Sequence, residues 1–267
     1  MLTGISSASN SRIKLVRKLQ TRKGRNEESR FVAEGINLVS ELIEGGHEID
    51  FLVTSEEFRS ATGERVEAIR AYIEDPDTQA LEIDKTLFDG LTDAENGIEV
   101  LAVVKASHLS VDYIDSLPND SCILVCDRIQ DPGNMGTMIR TAVAAGYGAV
   151  VALPGTVDIY SPKVLRATAG MVFEIPIIYA GSEDEIKNVS ERTGRRIVVT
   201  VPSGGKEYFR EDLSRGIMLV IGNEGRGISK TLEEMADVRV TLPMKGNIES
   251  LNAAVAAAIL MYETNRR

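Results

Sequence analysis

Three stretches place polar residues at spacings that suit ligand chemistry. Residues 131–146 read DPGNMGTMIRTAVAAG, a Gly-containing strand-to-helix turn in which Asn134 is followed six residues later by Arg140. Arg140 sits among Met138, Ile139, Ala142 and Val143 on a half-buried helix. Its guanidinium either pairs with an acid of the same domain or points out of a sheet's carboxyl end at a phosphate, which its planar fork binds bidentately. Residues 222–229 read GNEGRGIS directly after the apolar run MLVI. Three glycines in six residues let a ligand lie against bare backbone amides, with Glu224 in the same cleft, unless the segment is only a tight turn. In residues 240–252, VTLPMKGNIESLN, Pro243 stops a strand, Gly246 allows a sharp turn and Asn247 or Glu249 opens the last helix. Ser250 and Asn252 fall in its first turn, where small polar residues commonly serve only as caps.

Other chemistries are excluded by what the motifs lack. The first turn has Gly133-x-x-Gly136 rather than G-x-G-x-x-G, and the place of the ribose-binding acid holds Leu153, Pro154 and Gly155, with Asp158 too late. A nicotinamide oxidoreductase is therefore set aside, and no G-x-x-x-x-G-K-[ST] phosphate loop occurs. Cys122 and Cys126 share one face of an apolar strand, too far apart for a disulfide, and are assigned to core packing. His47 and His108 are distant in sequence, so no metal site is expected.

The elements that must position these residues read as α/β throughout. In NSRIKLVRKL, Ile13, Val16 and Leu19 share a helical face with Asn10 or Ser11 as cap, and the basic residues occupy the other faces. A polar stretch follows, then a strand at residues 31–33 and a helix at 36–44 ended by Gly45 and Gly46. Residues 49–104 alternate short apolar runs with polar helical ones, enough for a small α/β domain over 1–108. Residues 109–120, polar and carrying Pro118, read as a linker to a second domain over 121–267. There ILVCD, GAVVAL, EIPII, RIVVTV and IMLVI are nearly all apolar and alternate with helices, which argues for a parallel sheet covered on both faces. The terminal helix LNAAVAAAILMY is apolar on all sides, so it must be buried around its full circumference, which at this end of the chain suggests a subunit interface.

Composition gives the frame. At 267 residues, 43% hydrophobic and 26% charged, the chain is long enough for one large or two modest globular domains. The apolar run at 251–262 is too short for the ~20 residues of a membrane span. No signal-peptide h-region stands at the N-terminus, so a cytoplasmic protein without membrane association is expected. The net charge of −10 conceals an uneven distribution, because residues 1–30 hold eight basic side chains against Glu27 and Glu28. Arg12, Lys14, Arg17, Lys18, Arg22, Lys23 and Arg25 thus form either a solvated helix face or a nucleic-acid contact.

Taken together, N-x-G-x-x-x-R-T-A at 134–142, I-G-N-E-G-x-G-I-S at 221–229 and L-P-M-x-G-x-x-E-S-L-N-x-x-V-A-x-A at 242–258 resemble the SpoU/TrmH branch of the SPOUT RNA methyltransferases. The N-terminal segment SASNSRIKLVRKLQTRKGR…FVAEGINLV resembles the ribosomal-protein-like RNA-binding domain of many members, although residues 50–93 match only in pattern. The resemblance implies methyl transfer from S-adenosylmethionine to an RNA ribose 2′-hydroxyl, a trefoil-knotted catalytic domain and a homodimer. Ribosomal RNA is favoured over transfer RNA because the appended domain is similar to those of the family's ribosomal-RNA enzymes.

By the same resemblance Arg140 matches the catalytic arginine and Asn134 a residue that positions it or the substrate; Glu224, Ser250 and Asn252 match the remaining polar motif positions. Cofactor contacts are expected at Gly222, Asn223, Gly225, Leu242, Met244, Gly246 and Leu251, with Thr200 and Val201 lining the adenine or methionine side. An arginine is an awkward general base, because its unperturbed pKa is about 12.5 or above. Arg140 is better suited to holding an RNA phosphate and stabilising a developing alkoxide, which leaves proton removal unassigned. Base methylation of RNA and non-catalytic RNA binding are the competing readings.

Overall fold

Asn10 opens the first helix by accepting the Arg12 amide at 2.8 Å, and Ile13, Val16 and Leu19 are fully buried beneath it. The computed structural model describes the chain apart from residues 1, 5–7, 93–98, 247–249, 265 and 267. It forms two units, Met1–Ser107 with Asp158–Phe173, and His108–Val157 with Glu174–Arg267.

In the first unit the elements run β1 (Leu2–Gly4), α1 (Ser11–Leu19), α2 (Arg22–Glu28), β2 (Arg30–Glu34), α3 (Ile36–Glu44), β3 (Ile49–Ser55), α4 (Glu64–Glu74), β4 (Ala80–Ile83), α5 (Lys85–Asp89) and β5 (Val100–Lys105). The sheet order is β1-β4-β3-β5-β2, with β5 antiparallel to both its neighbours. The polar stretch after α1 is itself helical: Thr21 caps α2 by accepting the Gly24 amide at 3.0 Å. Gly24 is required there, since a Cβ would stand 1.9 Å from the Lys18 carbonyl oxygen.

The second unit comprises β6 (Ile123–Asp127), α6 (Pro132–Ala144), β7 (Ala149–Ala152), β8 (Ile177–Tyr179), α8 (Glu183–Thr193), β9 (Arg196–Thr200), β10 (Lys206–Glu207), β11 (Ile217–Gly222), α9 (Lys230–Met235), β12 (Val238–Thr241) and α10 (Ala253–Glu263). Its sheet, β10-β12-β9-β11-β6-β7-β8, is parallel at every pairing. Ile123, Leu124, Val125 and Cys126 are all fully buried, so both faces of β6 are covered. The chain between β7 and β8 contains α7 (Pro162–Thr168), which packs against β2.

Two further findings differ from the sequence reading. Residues 109–120 are part of the second unit rather than a free linker: the turn Val111–Ser116 buries Val111 and Ile114, and Arg192 binds Asp112 at 3.2 Å and Asp115 at 2.8 Å. Asp158–Phe173 lies within the sequence range of the second domain but packs in the first unit, where Asp158 pairs with Arg25 at 2.7 Å and Arg166 with Glu34 at 2.7 Å. The last helix is not enclosed within one chain. It packs on α6 and β11 and buries Ala254, Ala257 and Leu260, whereas Val255 is 48%, Ile259 36% and Tyr262 54% exposed. Asn247 and Glu249, the expected openers of that helix, lie outside the described residues; α10 begins at Ala253 behind an Asn252 cap.

Candidate active site

The carboxyl ends of β9, β11 and β12 border a cavity of about 500 Å³, within the range of roughly 300–1,000 Å³ usual for small-molecule sites. The loop after β11 is one wall. Asn223 folds it by accepting the Gly225 and Arg226 amides, each at 3.0 Å, on its side-chain oxygen. Its carbonyl takes the Gly227 amide at 2.8 Å. Gly222 permits the closure, because a Cβ would lie 2.5 Å from the Gly227 carbonyl carbon and the Ile228 nitrogen. Asn223 therefore borders the cavity but spends its side chain on the loop.

The opposite wall comes from the chain between β12 and α10. Leu242, Met244 and Leu251 supply apolar surface and Ser250 a hydroxyl. Thr200, Val201, Gly222, Glu224 and Gly225 also line the cavity. Gly246 turns the chain with φ +72° and is not part of the lining. Pro202, Arg226 and Glu233 line it too and were not anticipated. Arg226 occupies the unspecified position of the I-G-N-E-G-x-G-I-S pattern, and its place between two motif glycines is the signal that could have marked it.

Three of the expected polar residues meet in one hydrogen-bonded chain. Asn252 accepts the Ala254 and Val255 amides at 2.9 and 3.2 Å through Oδ1, which leaves Nδ2 to donate to Asn134 Oδ1 at 2.9 Å. Asn134 Nδ2 must then face Glu224, and it donates to Oε1 at 2.9 Å. The helix cap thus fixes the polarity of the whole relay and presents Glu224 with a donor. Asp131 seats Asn134 by accepting its amide at 2.7 Å, with Pro132 starting the helix. Asn252 therefore caps α10 and also bonds Asn134, without itself lining the cavity.

Arg140 lies in the same helix as Asn134 but on a different side, about 9 Å farther along the axis. It is exposed, does not line the cavity and has no ion-pair or hydrogen-bond partner among the described residues. The acid of the same domain that might have paired with it is therefore not found among them. Neither cysteine is a nucleophile: burial pushes the Cys126 thiol up to about 12, and burial also raises Cys122. No group of three or more metal-binding side chains occurs among the described residues, and no described helix is long and apolar enough to cross a membrane.

In the first unit the basic segment is divided. Lys14, Arg17 and Arg22 are exposed. Arg12 lies over the Phe51 ring at 5.4 Å and also donates to Gln79. Lys18 is held by Glu27 at 2.9 Å and by Glu28, which raises its pKa, and Lys23 is 3.7 Å from Glu27. Arg25 corrects the expectation of a surface contact. It is only 6% exposed and donates to Asp158 and to the Leu19 carbonyl, both at 2.7 Å, so it serves the interior of the unit.

Comparison with known proteins agrees with the order of the motifs. Residues 10–102 match the MRM3-like substrate binding domain, and residues 121–262 match the SpoU rRNA Methylase family. The 23S rRNA (guanosine(2553)-2′-O)-methyltransferase RlmP of Bacillus subtilis is 33% identical over 258 residues, covering 97% of each chain. Among solved structures, an AdoMet-bound rRNA methyltransferase from Sinorhizobium meliloti superposes with a TM-score of 0.86 at 31% identity, covering 99% of this chain and 98% of that one. The SpoU methyltransferase AviRb of Streptomyces viridochromogenes, in complex with AdoMet, gives 0.84 at 27% identity, covering 96% and 98%. With matched fold, ordered motifs and a relative of this similarity spanning nearly its whole length, the chain belongs to the SpoU rRNA methylase family.

Proposed function

We propose that this protein transfers a methyl group from S-adenosylmethionine to a ribose 2′-hydroxyl of ribosomal RNA. The observation that carries the reading is the relay from Asn252 through Asn134 to Glu224, which joins three distant segments at the edge of one cavity. The cavity suits the cofactor chemically. Leu242, Met244 and Leu251 offer apolar surface to the adenine, the glycines offer bare backbone, and Glu224 and Glu233 place carboxylates near a ligand with cationic groups.

When bound, the cofactor supplies an electrophilic methyl on a sulfonium. The residues of the chain must align a hydroxyl with it and exclude water. Glu224, held by Asn134, orients the reacting ribose, and Ser250 and Asn252 complete the polar rim. Arg140, outside the cavity lining and without a side-chain partner among the described residues, holds an RNA phosphate and stabilises the oxyanion that develops at the 2′-oxygen. Lys14, Arg17 and Arg22 hold the RNA backbone from the first unit, Met1–Ser107 with Asp158–Phe173, which serves as the substrate-binding domain, while the second unit is the catalytic domain with its trefoil-knotted path. The protein works in the cytoplasm as a homodimer. Val255, Ile259 and Tyr262 form an i, i+4, i+7 stripe on the helix whose Ala253 and Ala256 line the cavity, so a second copy on that stripe stands beside the site.

The test is incubation with radiolabelled S-adenosylmethionine and RNA from cells lacking the protein. Label should enter ribosomal RNA, and the phosphodiester 3′ to the labelled ribose should resist alkali. Label confined to a base, with the backbone still cleaved, would reject the reading in favour of base methylation; label in transfer RNA alone would move the substrate. Light scattering should give a dimer that Ile259→Glu splits, and a wild-type monomer would remove that part.

A further inference from the structure

Beneath the glycine loop lies a pair of residues that the mechanism above does not use. Asp127 ends β6 beside Gly222 in register and is 1% exposed. A carboxylate so buried must have its lone pairs occupied. Oδ1 accepts Arg128 Nε at 2.8 Å, and Oδ2 accepts Arg128 Nη2 at 3.0 Å and the Ser229 amide at 2.8 Å. Arg128 in turn donates to the Gly227 carbonyl at 3.3 Å, and its own carbonyl accepts Asn223 Nδ2 at 2.9 Å. The two residues thereby grip the loop at its start, its far end and the cap of α9.

The backbone of Arg128 is part of this grip. Its φ of +58° is left-handed, a conformation that disfavours a residue with a Cβ. It lets one residue offer its guanidinium to Asp127 and its carbonyl to Asn223. Gly155, at φ +89°, makes room for the side chain, since a Cβ there would stand 2.9 Å from Arg128 Cγ. Strain retained at one position, with a neighbouring glycine that accommodates it, is the pattern of a residue over-determined by its surroundings.

We propose that Asp127 and Arg128 are positioning residues, a latch that holds residues 222–229 in the form that receives the cofactor, so that cofactor affinity depends on two side chains that do not line the cavity. This rests on the cofactor reading above. The latch acts by ordering the loop before binding, so its loss should appear as weaker affinity rather than slower transfer at saturation.

Two variants and two readouts test it. In Arg128→Gly the left-handed backbone is relieved while the guanidinium is lost; in Asp127→Asn the shape is kept while the charge is lost. Calorimetry with S-adenosylmethionine on the full chain should show Kd raised about tenfold in both, with kcat at saturating cofactor within about threefold. Amide exchange in the ligand-free protein should rise about tenfold at Gly225, Arg226, Gly227 and Ser229. Arg128→Gly should also lower the thermal midpoint, because it leaves the buried Asp127 carboxylate without its guanidinium, so the split between Kd and kcat and the exchange rates, rather than stability, carry the test. Should one variant fail to fold, the other carries the test. Unchanged Kd in a folded variant overturns the latch, whether or not exchange rises. If the wild type binds no S-adenosylmethionine, the cofactor reading fails, and the exchange rates alone decide the latch, unchanged rates overturning it.

Discussion

The wall of the cavity and the basic segment of the first unit are both rich in polar side chains, and they use them in opposite ways. At the cavity Asn252, Asn134, Glu224 and Asn223 are tied to one another and to the backbone, which leaves Arg226 in the wall, and Arg140 outside it on α6, as exposed cations without a side-chain partner among the described residues. In the basic segment Lys18 and Lys23 are held by Glu27 and Glu28, and Arg25 by Asp158, which leaves Lys14, Arg17 and Arg22. On the function proposed above, a spent polar group at the cavity is positioned for chemistry, because its orientation carries the geometry of the site. A spent cation in the basic segment is withdrawn from binding. The same residue type therefore means different things in the two regions, and its partner, not its spacing, decides which.

Arg25→Ala offers the largest test of that contrast. The substitution strands a largely buried Asp158 and should cost about 3–5 kcal/mol. Calorimetry should show the lowered thermal midpoint, while the salt dependence of RNA binding by the folded fraction stays that of the wild type. A stable variant with a shallower salt slope would return Arg25 to the RNA-binding face. Arg140→Ala is the converse case, an arginine with nothing to lose in the fold. Its midpoint should be unchanged and cofactor Kd within a few-fold, whereas methylation should fall by about 10²–10³-fold. Surviving activity would mean that an exposed, unpaired arginine in this helix is an ordinary surface residue.

Most of the architecture was legible because it rests on local pattern. Apolar runs such as ILVCD and RIVVTV gave the strands of the parallel sheet. The expected α1 stripe of Ile13, Val16 and Leu19 is buried, and ten of the fourteen residues expected to be catalytic or to bind cofactor border the cavity. What stayed hidden depends on distant partners. Arg25 and Asp158 are 133 positions apart, so nothing near Arg25 announces its burial. The allegiance of α7 was hidden likewise, since its sequence shows an apolar face but not which sheet receives it. Asp127 reads as the polar end of a strand, and only the loop 102 positions later shows what its carboxylate holds. The polar stretch after α1 shows no apolar face that would announce α2, and the missing side chain of Gly24 is what lets that helix lie against Lys18.

Neutralising Lys14, Arg17 and Arg22 together to Gln probes the unspent cations. Removing one phosphate-binding charge should lower the slope of log K against log salt by about 0.7–0.9, so the triple variant should lose roughly 2–3. Affinity should drop about tenfold near 150 mM salt, equivalent to about 1.4 kcal/mol, with methylation restored at saturating RNA. Filter binding across a salt series gives both quantities. An unchanged slope would make this face a solvated surface and shift the burden of RNA binding to the second unit.

The smallest effect probes the spent groups of the wall. Asn134→Ala removes the middle of the relay and leaves Asn252 Nδ2 and Glu224 Oε1 facing solvent, which can replace the missing partner in part. The loss should be that of one ordinary hydrogen bond, about 0.5–1.5 kcal/mol, or roughly 2–10-fold in kcat. The sharper measurement is its coupling to Glu224→Gln. If Asn134 acts only by orienting Glu224, the double variant should be no slower than the worse single one, because the second substitution removes an interaction already broken. Independent, multiplying losses would mean that each residue meets the RNA on its own. The relay would then be a consequence of crowding at the cavity edge, and the contrast with the basic segment would narrow to Arg140 alone.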